Sequence, residues 1–507
     1  MACGGGVAKK AVANEAPRSG RAIAYASSGD PCVDFFQVVP GATSGADVAA
    51  LLDVAWSRDA RAALRLVCHL RGVRGLGKGD REGFYAAALW MDARHPKTLA
   101  GNLAIFARFG CLKDLPEILY RILHGDRMEE EGDRRKQQQD LRHGLKRRRS
   151  DGEFKAAKER KRQEEAELAR TALARYESFR FLYDRVAEML KSDVEHLRAG
   201  DTAKIGLAAK WCPSLRSSYD RATLLCEAIA RRIFPRESSQ EYLNISDKHY
   251  AYRIRDRLRR EVLVPLRKAL ELPEVYMCAC NAQHRVTSFF DEVRTGHTRI
   301  PADGVLPHEL IAAALKGEHD EAAELQWRRM AASLAAEGRL ANCIAVCGLS
   351  GAAAAVADQP ASAAVALGLL ISELSQEPWK GRSWAYPDYP LGPPLRKDMM
   401  VKRVFVLSDM DFDGWTGAAS VWKTEYQGIC DKSAAEGFAV PQVVFWNVGT
   451  SKASMPVVAE QEGAALVSGY SKNLVRLFLE AGGELTPAAV VADAISGPEY
   501  GALEVFD

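Results

Sequence analysis

No apolar run in this 507-residue chain approaches the roughly 20 residues needed to span a bilayer, so no membrane span is expected. No signal peptide is expected either. The opening MACGGGVAKKAVANEAPRSGRAIAYASSG is rich in Ala, Gly and Ser, carries more basic than acidic residues, and lacks an unbroken apolar core. That leaves an organelle transit peptide open, whereas Ala2 is expected to preclude N-myristoylation. The 11 cysteines, scattered from Cys3 to Cys430, show no framework spacing. They read as reduced core thiols, and an intracellular protein, cytoplasmic or nuclear, is expected. Neither Cys278 with Cys280 nor Cys343 with Cys347 has the spacing of a zinc site. Strong charge is absent too: a net +3 gives no global pull toward nucleic acid.

Catalytic signatures are equally scarce. The stretch GVRGLGKGD holds the G-x-x-x-x-G-K of a phosphate loop in Gly72, Gly77 and Lys78. Gly79, however, stands where the magnesium-binding Ser or Thr belongs, and the preceding segment is helical, so a glycine-rich turn between helices is expected. His308 opens HEL with no second His one turn on, which excludes a zinc-protease helix. Cys68 and His69 are neighbours on a helix and point apart, and no G-x-S-x-G occurs.

What is present is helical periodicity, then a change of period. Apolar residues recur at three and four spacing from about Asp47 to Leu123, in segments around Leu51 to Leu70, Arg81 to Ala93, Pro96 to Phe109 and Asp114 to Leu123. Residues 127–170 interleave RRK, KRRR and KERKR with acidic blocks, which reads as a solvated helix or disordered insertion. The sharper reading is a nuclear-import or RNA-contacting segment using Arg147, Arg148, Arg149, Lys161 and Arg162. Helices resume near Arg175, include RIRDRLRREVLVPLRKALEL with its arginines on one exposed side, and end with His319 to Glu337.

Beyond Gly338 short β-rich runs alternate with helices: ANCIAVC, a helix from about Ser362 to Ser375, the strand before Asp409, a helix from about Ala418 to Glu436, PQVVFWNV, a strand near Leu466 and the helix SKNLVRLFLEAG. Such alternation implies a parallel sheet. In KRVFVLSDMDFDG, Asp409, Asp411 and Asp413 follow a buried strand, at the sheet edge where open α/β sheets bind ligands. The D-x-D-x-D-G pattern begins like a calcium loop, but loop position twelve is Ser420 and a strand replaces the entering helix, so it is not an EF-hand.

RGVRGLGKGDREGFYAAALWM, HPKTLAGNLAIFARFGCLKDLPEIL, LPHELI, ANCIAVCGLSG, ALGLLISELSQEPWKG, FVLSDMDFD, PQVVFWNV, LVSGYSKNL and AISGPEY together resemble an uncharacterised family of plants and large DNA viruses, built from two domains of unknown function, DUF2828 and DUF7788. The resemblance implies a helical N-terminal region and a C-terminal von Willebrand factor A-type domain, an arrangement similar to the Ro ribonucleoprotein. Such a domain binds magnesium through Asp-x-Ser-x-Ser after its first strand, a Thr on a second loop and a distant Asp. Carried over, the run is Gly348, Leu349, Ser350, Gly351, Ala352, so Ser350 survives and Asp409 takes the place of the distant Asp. The Thr-bearing loop is missing, because the proline-rich stretch between Ser375 and Lys402 is too short for two strands and a helix at typical lengths. Lost exons, a divergent paralogue and an imperfect gene model all remain open as its origin.

The expected fold is therefore α plus α/β: a solenoid-like α-helical N-terminal domain followed by an abbreviated von Willebrand A-type, Rossmann-like parallel sheet. The organisation reads as a disordered N-terminus (1–32), a first helical part (33–126), the charged insertion (127–170), a second helical part (171–338) and the truncated sheet domain (339–507). A non-catalytic binding or scaffold role is expected, with a protein partner ranked first. RNA ranks second, supported locally by the insertion with Arg71, Arg74, Lys78 and Arg81. Metal-assisted hydrolysis at Asp409, Asp411 and Asp413 ranks last. No resident cofactor is expected; magnesium or calcium would have to be held by Asp409, Ser350, Asp411 and Asp413, a weak or lost set.

Overall fold

The computed structural model describes residues 27–73, 75–124, a few positions between 159 and 167, 180–206, 208–270, 283–297, 300, 305–315, 320–348, 359–384, 400–410, 430–449, 456–479 and 485–507. Capping side chains divide its helices. Asp30 accepts the Cys32 N–H ahead of α1 (Pro31–Phe36), whose leading proline loses no helical bond in the first turn. The stretch expected as one helix from 51 to 70 is two, α2 (Gly45–Arg58) and α3 (Ala60–Arg71), parted by Asp59. That residue is extended, and its carboxylate accepts the Ala62 N–H, so it closes one helix and caps the next. α4 (Arg81–Arg94), α5 (Pro96–Phe109) and α6 (Asp114–His124) lie within a residue of the bounds the periodicity predicts. α2 packs on α3 and α4, and α4 on α5 and α6, burying Leu52, Leu64, Val67, Phe84, Met91, Phe106 and Ile118.

The helical half continues with α7 (Arg180–Arg198), α8 (Ser218–Thr223), α9 (Leu225–Ile233) and α10 (Asp247–Arg257). α8 packs on α6, and α9 on both α7 and α10, so helices from either side of 125–179 share one core. α10 runs without a cap into a π-turn, Leu258–Leu263, and then α11 (Val264–Ala269). Pro265 has no N–H to give, and its ring would collide with the carbonyl four residues back in a regular helix. The wider turn relieves this: the Val264 N–H bonds to the Arg259 carbonyl, five back. On this stretch Arg253, Arg259 and Arg260 are exposed and Arg255, Arg257 and Arg267 half-buried. α12 (Gln283–Arg294), α13 (Pro307–Leu315) and α14 (Glu321–Glu337) follow.

The C-terminal half holds a parallel sheet of β1 (Cys343–Gly348), β2 (Ser383–Trp384), β3 (Arg403–Ser408), β4 (Gln442–Asn447) and β5 (Ala464–Ser468), in the order β2-β1-β3-β4-β5. β4 and β5 are buried along nearly their whole length, as near-continuous Val, Phe, Trp and Ala runs require of parallel strands covered on both faces. α15 (Gln359–Leu374) packs on β1 and β3; α16 (Pro487–Ala494) packs on β5 and on α1. Among the described residues of the short stretch before β3 there is one strand of two residues, β2. SKNLVRLFLEAG, expected as an α-helix, instead coils as a 3-10 run over Lys472–Phe478. Its start is pinned to the helical half through Ser471 and Lys472, which donate to the Gly77 and Val305 carbonyls, and the coil tightens accordingly. Among the described residues no helix is long and apolar enough to cross a membrane.

Candidate functional site

Strand order changes direction between β1 and β3, and open α/β sheets bind ligands beyond the carboxyl ends of the strands at such a switch. The register places Gly348, Ser408, Asn447 and Ser468 in one row across that edge. Asp409 follows Ser408 directly, as its sequence position predicts. The Ser408 hydroxyl lies 3.3 Å from the Asp409 carboxylate and accepts the Met410 N–H at 3.0 Å. Met410 has φ 57°, a left-handed turn that swings the chain off the sheet. Gly449 closes over this turn: a Cβ there would sit 2.6 Å from both Cα and Cβ of Asp409, so only glycine fits. Gly348, the register partner of Ser408, ends the neighbouring strand at this edge. Ser350, Asp411 and Asp413, the other residues expected to ligate a metal, lie outside the described residues, as do Arg147, Arg148, Arg149, Lys161 and Arg162.

At β5 the same edge is filled by the chain itself. Lys78, 2% exposed, donates from Nζ to the carbonyls of Phe36 and Val38 and to Ser468 Oγ at 2.6 Å. Burial lowers its ammonium to about 7, opposed by the Asp80 charge. His69 lies beside it against the Phe36 ring, at 5.0 Å between centroids; burial first and then the Lys78 charge pull its imidazole down to about 3. The Lys78–Ser468 pair has the separation of a Ser–Lys nucleophile and base, but both side chains are sealed in the core, where no substrate reaches them. It is a structural clamp.

Two residues expected to support an RNA surface are therefore misplaced by that expectation. Lys78 is the clamp. Arg71 is buried, donating at 2.8 and 3.1 Å to Asp114, which also takes the Tyr85 hydroxyl at 2.8 Å. Isolated in the interior, a guanidinium needs such a partner, and Asp114 lies 43 residues away in sequence, where no local pattern could signal it. Arg81 is exposed, beside Glu82. Arg74 lies outside the described residues.

A second place with the form of a site lies in the helical half, and the sequence reading did not assemble it. A cleft of about 610 Å³ opens where the π-turn passes the segment before α8, lined among others by Arg216, Tyr252, Arg255, Arg259 and Arg267. Tyr252 and Val264, which share it, are 57% and 51% exposed. The density of arginine between 253 and 267 was visible in the sequence; that Arg216 joins them was not. Pro265, inside an otherwise helical pattern, was the available signal of a break there.

Comparison with known proteins gives a family without an activity. The profile of a domain of unknown function, DUF2828, matches residues 19–284, more than half of the chain, and the chain belongs to this family. A second domain of unknown function, DUF7788, matches residues 342–391 and 392–496, its two segments meeting inside the short stretch before β3. The chain is also similar to uncharacterized protein L728 of Acanthamoeba polyphaga mimivirus, 22% identical over 539 residues that span 90% of this chain and 83% of that protein. No solved structure matches it.

Proposed function

We propose that this is a non-catalytic binding protein whose helical half presents the binding surface, and whose sheet half is an abbreviated von Willebrand A-type domain with an eroded cation site. The observation that carries this reading is the placement of exposed Tyr252 and Val264 in one cleft of the helical half, while the β5 end of the sheet edge is occupied by Lys78. Gly348, paired in register with Ser408 just before Asp409, supports the erosion, since hard cations held by proteins call on several oxygen ligands. A protein partner fits the near-neutral charge of the chain. A second reading, RNA, is favoured by one specific feature, the arginines around the same cleft.

Photo-crosslinking from a benzoylphenylalanine placed at Tyr252 of the full chain tests this. A discrete crosslinked species is expected, removed by protease treatment of the partner if it is protein and by ribonuclease if it is RNA. Crosslinking from a probe beside Asp409, with none from Tyr252, would move the binding surface to the sheet. If the partner is RNA, its affinity should fall steeply with added salt, because contacts to phosphates release counterions.

A further inference from the structure

We propose that the arginine-lined cleft binds a nucleoside phosphate, its phosphate taken by Arg216, Arg259 and Arg267 and its base stacked on Tyr252. The inference rests on the helical half being the binding half, and it names the ligand class. The cleft's volume, about 610 Å³, falls within the roughly 300–1,000 Å³ of small-ligand sites.

Charge at the cleft does not cancel. Four of its lining residues are arginines, and its two carboxylates are already engaged. Asp220 accepts the backbone N–H groups of Arg216 at 2.7 Å and Cys226 at 2.9 Å, and Asp256 pairs with Arg260 at 2.8 Å. Arg255 faces Glu227 at 3.6 Å. Arg267 is held differently: it donates to the carbonyls of Ala209 and Cys212 at 2.8 and 2.6 Å, which orient the guanidinium without neutralising it. Neither the Arg216 nor the Arg259 guanidinium has an ion-pair partner among the described residues. Planar guanidiniums, one held in place and two without a carboxylate partner, are suited to phosphate oxygens.

Two uncommon backbone features meet at the same place. Arg216 has φ 62°, a left-handed conformation that a non-glycine residue rarely takes, held by its N–H bond to Asp220. The π-turn at Leu258–Leu263 shifts Arg259 and Arg267 relative to the register of a continuous helix, so residues eight apart both reach the cleft. The flat ring needed beside the phosphate is Tyr252, more than half exposed and hence able to stack on a base from a single strand or a free nucleotide.

Titration calorimetry on the full chain at low salt decides it, using adenosine 5′-monophosphate, adenosine, inorganic phosphate and a single-stranded adenylate oligonucleotide. The monophosphate or the oligonucleotide is expected to bind at least about tenfold more tightly than adenosine or phosphate alone, since each of these offers half of the contacts. Binding of the oligonucleotide well above that of the monophosphate assigns the site to a strand; equal binding assigns it to the free nucleotide. R259E is expected to weaken binding about tenfold or more, and Y252A about fivefold or more, both being surface changes. Absence of binding by either nucleotide, affinity unchanged in both variants, or inorganic phosphate binding as well as the monophosphate would overturn the proposal. A ribonuclease-resistant protein crosslink from Tyr252 in the presence of such a failure leaves the binding role of the helical half standing.

Discussion

Lys78 holds its charge in a place nearly closed to water, and its three acceptors come from three separate positions, Phe36, Val38 and Ser468. In sequence it sits in GLGKGD, where glycine neighbours suggest an exposed turn. Burial of a lysine depends on acceptors brought from elsewhere, which is why the residue's role was not legible locally. Its ammonium is lowered from 10.5 to about 7 in the fold. Between those values the unfolded chain binds more protons than the folded one, so stability rises as pH is raised through that window. Urea unfolding of the wild type is therefore expected to gain stability relative to K78M between pH 7 and 10.5. Parallel pH profiles for the two proteins would show that Lys78 is not the titrating group.

At the scale of elements, helix bounds were legible where caps and periodicity are local: Pro96 at the first turn of α5, or Asp80 before α4. Strands β1, β3, β4 and β5 were legible because apolar β-rich runs between turns have few alternatives. The break at Asp59 was missed because apolar spacing runs through it, although aspartate favours caps over helix interiors, and the π-turn because periodicity counts residues and not hydrogen bonds. The glycines that imitate a phosphate loop have a different use. A Cβ on Gly77 would lie 2.2 Å from the Gly72 carbonyl oxygen and 2.4 Å from its Cα, so two backbone segments touch with no side chain between them. The Gly77 carbonyl, buried at this contact, accepts from Ser471. Gly77→Ala is expected to cost about 1–3 kcal/mol, because backbone on both sides must move. Urea midpoints measure the cost, and amide exchange across 468–474 should quicken with it; an unchanged midpoint would mean the contact is slack.

Across the whole molecule, contacts join its two kinds of secondary structure. α1 packs on α16, Asn102 donates to the Glu504 carbonyl at 2.7 Å, and the Asp507 carboxylate accepts the Lys97 and Thr98 N–H groups at 3.0 Å, supplying the cap that α5 lacks locally. Each half's class was readable from its own pattern; the seam was not, because it joins residues some 400 positions apart. Calorimetry of the full chain is expected to show one unfolding transition. A fragment of the helical half alone, without Ser468 and α16, is expected to melt at lower temperature and to bind hydrophobic dyes, since it uncovers α1 and strands Lys78. Two separated transitions in the full chain would instead mean that the seam is weak.

The clamp also sets a clock. Lys78 and Ser468 are 390 residues apart, and a ribosome adding roughly 5–20 residues per second needs about 20–80 s to travel that far. For that time the emerging helices carry an ammonium whose last acceptor does not yet exist and an α1 whose cover is unmade. The seam between the two halves can therefore close only late in synthesis, once β5 and α16 have both been made.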